Sequence, residues 1–345
     1  MNDNEWEQKP MGGKRERTMV AILRVLYNAP GPLGSERIAQ NLRNAGMDIS
    51  ERAVRTYLAE ADECDWTRNL GRRGRLLTEA GRYEVDHALV IDKVGFIAAK
   101  VDQLAYQMTL DPATRKGNVV LNTATIQPKD LRASLNAMRK VYEANLSMGR
   151  LLTVASAGET IGPFRVPNGR CGIGTICSVN INGLLLRAGI ATTSRFGGLL
   201  ELRDGRPQRF TEIINYDGSS LDPIEVFIRG FMTSVGKAAK TGSGIIGASF
   251  REVPVAALPE VRRVAVLSEK LGLGGILALG GPNQPLLDIP VPQGRAGLIV
   301  CAGLNVMAAV VEEGIATTSA AMSSMCEYSA LTDYREIHSV VASIK

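Results

Sequence analysis

The chain has 345 residues, of which 45% are apolar and only 5% aromatic, and a formal net charge of +5. That length predicts about two domains with aliphatic cores, and no apolar run approaches the ~20 residues of a membrane helix. The polar start, MNDNEWEQKPMGGKRER, lacks a signal peptide's apolar stretch, and Cys64, Cys171, Cys177, Cys301 and Cys326 form no CxxC pair. The expectation is a cytoplasmic protein with reduced thiols whose charge permits a polyanionic partner without demanding one.

Residues 1–13 read as a disordered tail. From Lys14 the pattern is helical, with Met19, Ile22, Leu23 and Leu26 on one apolar face. The segment NAPGPLG (28–34) stops that helix. Ser35 caps a short second helix with Ile38, Ala39 and Leu42 inward. After a turn at Asn44-Ala45-Gly46, Ser50 caps a third, with Val54, Tyr57, Leu58 and Ala61 inward and Glu51, Arg52, Arg55 and Thr56 opposite. Residues Trp66–Thr78 predict two short strands joined at Gly71-Arg72-Arg73-Gly74, and Thr78 caps a last helix through about His87.

Helix, helix, capped helix and basic hairpin over 14–82 make a winged helix-turn-helix. Its third helix would enter a DNA major groove with Ser50, Arg52, Arg55 and Thr56 near its start. Arg68, Arg72, Arg73 and Arg75 in the wing would meet phosphates or the minor groove. Residues 9–82 hold 14 Lys/Arg and 9 Asp/Glu, an excess of 14 − 9 = 5 that equals the whole-chain charge. The alternatives are a solvated helix face with a charged surface hairpin, or a winged helix that binds protein or RNA. Residues 83–108 read as a helical linker, with Val94, Ile97, Ala98, Val101 and Leu104/Ala105 on one face. That face either pairs with a second copy or packs on the next domain.

From about 109 to 330 the chain is internally duplicated. GRCGIGTICSVNINGLLLRAGIATTS (169–194) aligns without a gap on GRAGLIVCAGLNVMAAVVEEGIATTS (294–319), at an offset of 294 − 169 = 125. Asn180 matches Asn305, and GIATTS is identical in both. Upstream, KGNVVLNTATIQP (116–128) resembles TGSGIIGASFREVP (241–254), and each is followed by an amphipathic helix and a strand. The repeat units span about 116–200 and 241–325, each strand–helix–strand–loop–helix–strand. Ile190–Thr193 and Ile315–Thr318 read as short strands. Between the repeats, Asp204-Gly205 signals a hairpin between Leu199–Arg203 and Arg209–Ile214, and Asp222-Pro223 starts a helix over 224–240. Residues 331–345 read as a C-terminal tail.

Thr192, Thr193 and Ser194, with Thr317, Thr318 and Ser319, either hold a carboxylate or phosphate or satisfy local backbone groups at a strand end. Arg170 and Arg295 either join such a site, with Cys171 beside it, or pair structurally. The copies differ at Arg195/Ala320 and Arg187/Glu312. Arg195 can hold a carboxylate bidentately, so a site biased toward the first copy is expected. The effector-binding set is therefore Arg170, Cys171, Thr192, Thr193, Ser194, Arg195, Arg295, Thr317, Thr318 and Ser319.

The stretches KRERTMVAILRVLYNAPGPLGSERIAQNL, DISERAVRTYLAEAD and GRRGRLLTEAGRYEV resemble the winged helix that heads archaeal nitrogen repressors of the NrpR type, itself similar to the one at the start of ribonuclease R. DKVGFIAAKVDQLAYQMTLDPATRKGNVVLN and the doubled GIATTS resemble the regulatory domain of the same repressors, long catalogued as a domain of unknown function. The resemblance covers about 14–330. It implies an α+β protein with an N-terminal winged helix-turn-helix and an internally duplicated α/β regulatory domain. It also implies a repressor of nitrogen-assimilation genes that 2-oxoglutarate releases from operator DNA. Some relatives carry two regulatory domains, and this chain has room for one.

No cofactor and no metal are expected. The partners expected are double-stranded operator DNA, a small-molecule effector and a second copy in a homodimer, with no membrane. An enzyme reading is disfavoured. His87 and His338 are the chain's two histidines, both outside the repeats, and neither a P-loop nor a GxSxG is present. Cys171 and Cys177 have no histidine partner, and no acidic metal cluster follows the ribonuclease-like start. A protein- or RNA-binding scaffold, or an enzyme domain fused to a DNA-binding regulator, stand as the alternatives.

Overall fold

The computed structural model describes residues 14–29, 31–44, 47–87 and 97–337. The expected tail 1–13, Ala45-Gly46 of the expected turn, Val94 and His338 lie outside the described residues. Those residues fall into two compact units, 14–87 and 97–337.

In the first unit, helices α1 (Lys14–Tyr27), α2 (Ser35–Asn44) and α3 (Glu51–Glu63) precede strands β1 (Thr67–Asn69) and β2 (Arg75–Leu77) and helix α4 (Glu79–His87). The i, i+3, i+4 spacing seen in the sequence closes one core from Ile22, Leu23, Leu26, Ile38, Ala39, Leu42, Val54, Leu58 and Ala61. Thr78 Oγ1 accepts from Gly81 N at 3.0 Å and so caps α4. Leu33 exchanges backbone bonds with Arg75 at 3.0 and 2.9 Å, adding a one-residue antiparallel bridge to β2. Gly74 permits this approach: at φ +97°, a Cβ there would sit 2.3 Å from the Leu33 carbonyl.

The second unit begins with α5 (Ile97–Gln107), which buries Ile97, Val101 and Ala105 in the unit's own core, so this helix packs on the regulatory domain. The first repeat supplies β3 (Asn118–Ile126), α6 (Leu131–Glu143), β4 (Leu151–Ala155), a small hairpin of β5 (Thr160–Ile161) and β6 (Phe164–Arg165), β7 (Cys171–Ile176), α7 (Val179–Arg187) and β8 (Thr193–Arg203). Then come β9 (Arg206–Asn215), α8 (Pro223–Arg229) and α9 (Val235–Thr241). The second repeat supplies β10 (Gly244–Pro254), α10 (Leu258–Lys270), β11 (Ile276–Leu279), β12 (Arg295–Cys301), α11 (Asn305–Glu312) and β13 (Thr318–Glu327), before a last strand, β14 (Thr332–Asp333).

Two five-stranded antiparallel sheets result, ordered β13-β3-β7-β4-β14 and β11-β12-β10-β8-β9. Each repeat gives its last strand away. β8 of the first pairs with β10 of the second, and β13 of the second pairs with β3 of the first. GIATTS is where each chain segment crosses over. Gly189 and Gly314 adopt φ +74° and +78° just past the ends of α7 and α11. Gly189 N and Ile190 N donate to Leu186 O and Leu185 O, both at 2.9 Å. Gly314 N and Ile315 N donate to Val311 O and Val310 O at 2.9 and 3.3 Å. Both ends are therefore Schellman caps, with the following isoleucine as the apolar residue of the motif.

Three expectations change. The strands start at Thr193 and Thr318, not at the isoleucines, because the cap occupies Gly-Ile, and they run on for ten or more residues. The helix read over 224–240 is two helices, broken at Gly230–Ser234, where Phe231 has φ +53°. Past 330 the chain forms β14 on the edge of β4, held by Arg150 Nε to Asp333 Oδ2 at 2.9 Å and by Tyr142 stacked on Tyr334. The Asp204-Gly205 hairpin forms as read.

The matched asparagines are buried clamps. Asn180 accepts from Val120 N at 2.9 Å and donates to Val120 O at 2.7 Å. Asn305 accepts from Gly247 N and donates to Gly247 O, both at 2.9 Å. Each side chain thus adds a rung just past the end of β7 or β12, beside the bonds that Cys177 N and Ala302 N donate to the same carbonyls, both at 3.0 Å. Asn180→Ala or Asn305→Ala should cost about 1–3 kcal/mol by orphaning the buried N–H of Val120 or Gly247, measured by urea unfolding. A loss under about 0.5 kcal/mol would show that the clamps do not bear on stability.

Candidate functional site

Ser50 caps α3 by accepting from Ala53 N at 3.2 Å, as its spacing requires. Beyond it Arg52, Arg55 and Thr56 are exposed on one face. Arg52 has no side-chain partner among the described residues. Arg55 is held by Glu51 and by Ser35 Oγ at 3.3 Å, and the Arg55 and Ser35 bonds draw the Glu51 carboxyl below its usual pKa. Thr56 Oγ1 donates to Arg52 O at 3.2 Å. Arg68 on β1 and Arg72 and Arg73 on the single 3-10 turn Gly71–Arg73 are exposed. Arg75 differs: its Nε donates to Asp62 Oδ2 at 2.8 Å, and its side chain is only 18% exposed. It ties the hairpin to α3.

The arginines of the duplicated stretch also have partners within their own unit. Arg170 and Arg295 each reach across to the neighbouring strand, to Thr125 O at 3.1 Å and Glu252 O at 3.0 Å. Those acceptors are equivalent, since Thr125 faces Gly172 and Glu252 faces Gly297. Arg295 also donates to Thr193 Oγ1 at 2.7 Å. Arg195 forms an ion pair with Glu252, which is almost fully buried. The Arg195/Ala320 difference is thus matched by Glu252/Thr125: an extra ion pair staples one crossover, and a ligand carboxylate there would meet Glu252. Arg187 donates to Met108 O at 3.0 Å, whereas Glu312 accepts from Val235 N and Gly236 N at 2.8 and 2.7 Å and caps α9. Thr192 Oγ1 bonds Ile190 O at 3.4 Å. Cys171 is buried in β7, and burial raises its thiol. Thr317, Thr318 and Ser319 line an open groove of about 530 Å³ with Phe231 and Arg229, and Arg229 is exposed and paired to Glu225.

Of the ten residues expected to bind an effector, Ser194 lines a cavity that the sequence reading did not find. Ser178/Gly303, Cys177/Ala302 and Asn122/Ser249 are equivalent positions of the two repeats, and all six line it. The cavity therefore sits on the axis relating the copies. One large side chain breaks that symmetry. Arg251 on β10 stands where β3 has Ala124, since Arg251 faces Leu298 and Ala124 faces Ile173, positions 125 apart. Arg251 is 1% exposed, and burial pulls its pKa down. It donates to Asn182 Oδ1 at 2.6 Å, Ser249 Oγ at 2.7 Å and Ser178 O at 3.2 Å. Among the described residues, no carboxylate lies within ion-pair distance of it. Asp222 lines the same cavity and accepts from Ile224 N and Glu225 N at 3.0 and 3.1 Å; burial nevertheless pushes it up to about 6. Burial likewise raises Cys177 to about 11, so its thiol stays protonated. The available signal was an arginine in the β-branched run GIIGASFREVP where the first copy, VVLNTATIQP, has alanine.

The first unit defines a winged-helix protein and the second a duplicated regulatory domain, the architecture of a transcription regulator. Residues 20–85 match the ribonuclease R winged-helix domain, and residues 94–333 match the NrpR regulatory domains NRD1 and 2. The chain is 34% identical over 318 residues to the global nitrogen regulator NrpRI of Methanosarcina mazei, covering 92% of this chain and 98% of that protein. It is 28% identical over 312 residues to the global nitrogen regulator NrpR of Methanococcus maripaludis, covering 90% of this chain and 54% of that one. It thus spans about half of that longer relative. The solved structure of a nitrogen repressor-like protein from Methanococcus jannaschii resembles it with a TM-score of 0.60 at 28% identity, covering 70% of this chain and 99% of that one. The chain belongs to the NrpR family of nitrogen regulators. No described helix is long and apolar enough to cross a membrane.

If Arg75 is structural and the wing tip is not, Arg75→Ala should lower the stability of the first unit by about 1.5–3 kcal/mol, the worth of a charge-assisted bond. Arg72→Ala with Arg73→Ala should change it by less than about 0.5 kcal/mol. Thermal melts by circular dichroism distinguish the two, and equal losses would refute the assignment.

Proposed function

We propose that this protein is a DNA-binding repressor of nitrogen-assimilation genes, and that its second unit takes 2-oxoglutarate, which weakens its hold on DNA. One observation carries the DNA reading: a serine-capped α3 presents exposed Arg52, Arg55 and Thr56 in the same unit as an exposed Arg72-Arg73 wing tip. In the proposed complex Arg52 and Arg55 reach base edges, with Arg55 exchanging Glu51 for guanine. Arg68, Arg72 and Arg73 meet phosphates. The protein acts as a homodimer on an inverted repeat and as a regulator rather than an enzyme, as the names of its relatives support.

The effector reading draws support from how α5 is held. The chain enters the second unit through this helix, whose Val101 lines the Arg251 cavity. Ile97 N donates to Ser219 O at 2.9 Å, and Lys100 Nζ to Ala321 O at 3.5 Å. Occupation of the cavity would shift the helix that follows the DNA-binding unit in the chain. Coupling of this kind requires the effector to prefer one arrangement of α5.

Fluorescence anisotropy with a duplex from the gene's own upstream region tests this. Millimolar 2-oxoglutarate should weaken binding at least tenfold. Arg52→Ala, and Arg72→Ala with Arg73→Ala, should each weaken it tenfold or more, the wing pair also flattening the salt dependence. Affinity indifferent to 2-oxoglutarate would sink the effector; affinity indifferent to all three arginines would sink the DNA interface.

A further inference from the structure

We infer that the cavity around Arg251 is a carboxylate-binding site, with the Arg251 guanidinium as its anchor and Ser249, Ser178 and Ser194 as hydrogen-bonding groups around it. This rests on the reading that the second unit takes a small anion, and it names where.

A guanidinium presents five N–H donors in a fixed fork and stays charged in a protein. Arg251 directs three bonds to neutral oxygens, of Asn182, Ser249 and the Ser178 carbonyl, and none to an anion. A charge buried without a counterion is costly, and folded proteins ordinarily pair it. The pairing is not supplied from within the described residues, although the second repeat pairs Arg195 with Glu252 one position along the same strand. Nor is the arginine needed for the fold, because the first repeat builds the same strand with Ala124. The Asn182 bond orients the guanidinium, and Asn182 in turn donates to Ser194 Oγ at 2.9 Å. Ser194 thereby joins the anchor to the first crossover.

The free volume is about 30 Å³. A single water needs roughly 10–15 Å³ by the same measure, so the cavity admits a carboxylate head and not a whole metabolite. The remainder of the ligand extends past Ser178, Ser194 and Asp222, which are only half-buried. The ligand class is therefore a small carboxylic acid bound head-first, with one carboxylate forked on Arg251.

Isothermal titration calorimetry on the full chain tests this, with 2-oxoglutarate, succinate and the neutral dimethyl ester of 2-oxoglutarate as probes. The wild type should bind at least one of the two acids and not the ester. Arg251→Lys should weaken that acid at least tenfold, because an ammonium cannot fork. Ser249→Ala should weaken it severalfold and guards against misfolding at Arg251, with circular dichroism checking both variants. Arg195→Gln should bind as the wild type does. Should Arg251→Lys bind within twofold of the wild type, or Arg195→Gln alone lose binding, the site is overturned while effector sensing by the second unit stands. If neither acid binds the wild type, the site and the effector reading fall together.

Discussion

The closing strands β8 and β13 each leave the repeat that encodes them and hydrogen-bond to the first strand of the other, β8 over residues 193–202 to β10 and β13 to β3. Neither sheet is complete without both repeats, so the second unit is one cooperative body rather than two beads on a string. The identical GIATTS stretches follow from this constraint. Each must end a helix sharply, seat an isoleucine and launch a strand toward the opposite sheet. A glycine at positive φ followed by an apolar residue and β-branched residues meets those three needs.

The exchange also places equivalent residues opposite one another. Cys177 and Ala302, Ser178 and Gly303, and Asn122 and Ser249 converge on one small cavity. Exact duplication would leave that cavity without a cation in its lining. Arg251 in place of Ala124 makes it cationic on one side, while the pair Arg195–Glu252 strengthens only one crossover. The cavity borders α5, the helix with which the described part of the second unit begins.

Much of the fold could be read from the residues because local chemistry dictated it. The 3.6-residue apolar period placed α1 to α3, Ser50 and Thr78 marked helix starts, and Asp204-Gly205 marked its hairpin. The constant offset of 125 exposed the duplication. What could not be read was long-range. Whether a strand pairs within its repeat or across to the other leaves no local trace, so Thr193 and Thr318 looked like ends of short strands instead of starts of long ones. The cavity was hidden for the same reason. Conspicuous arginines beside GIATTS drew attention, yet Arg170, Arg195 and Arg295 are spent on strand carbonyls and on Glu252. Arg251 lay in an ordinary strand, and its burial became visible only once two sheets were in place around it. The tie between Arg75 and Asp62, thirteen residues apart, was likewise not legible from local pattern.

The strand exchange is tested most directly by differential scanning calorimetry of the regulatory unit, residues 97–337. A body whose repeats complete each other's sheets should melt in a single transition with equal calorimetric and van't Hoff enthalpies. Two resolved transitions, each accounting for about half of the heat, would mean that the repeats fold independently and would contradict the exchange.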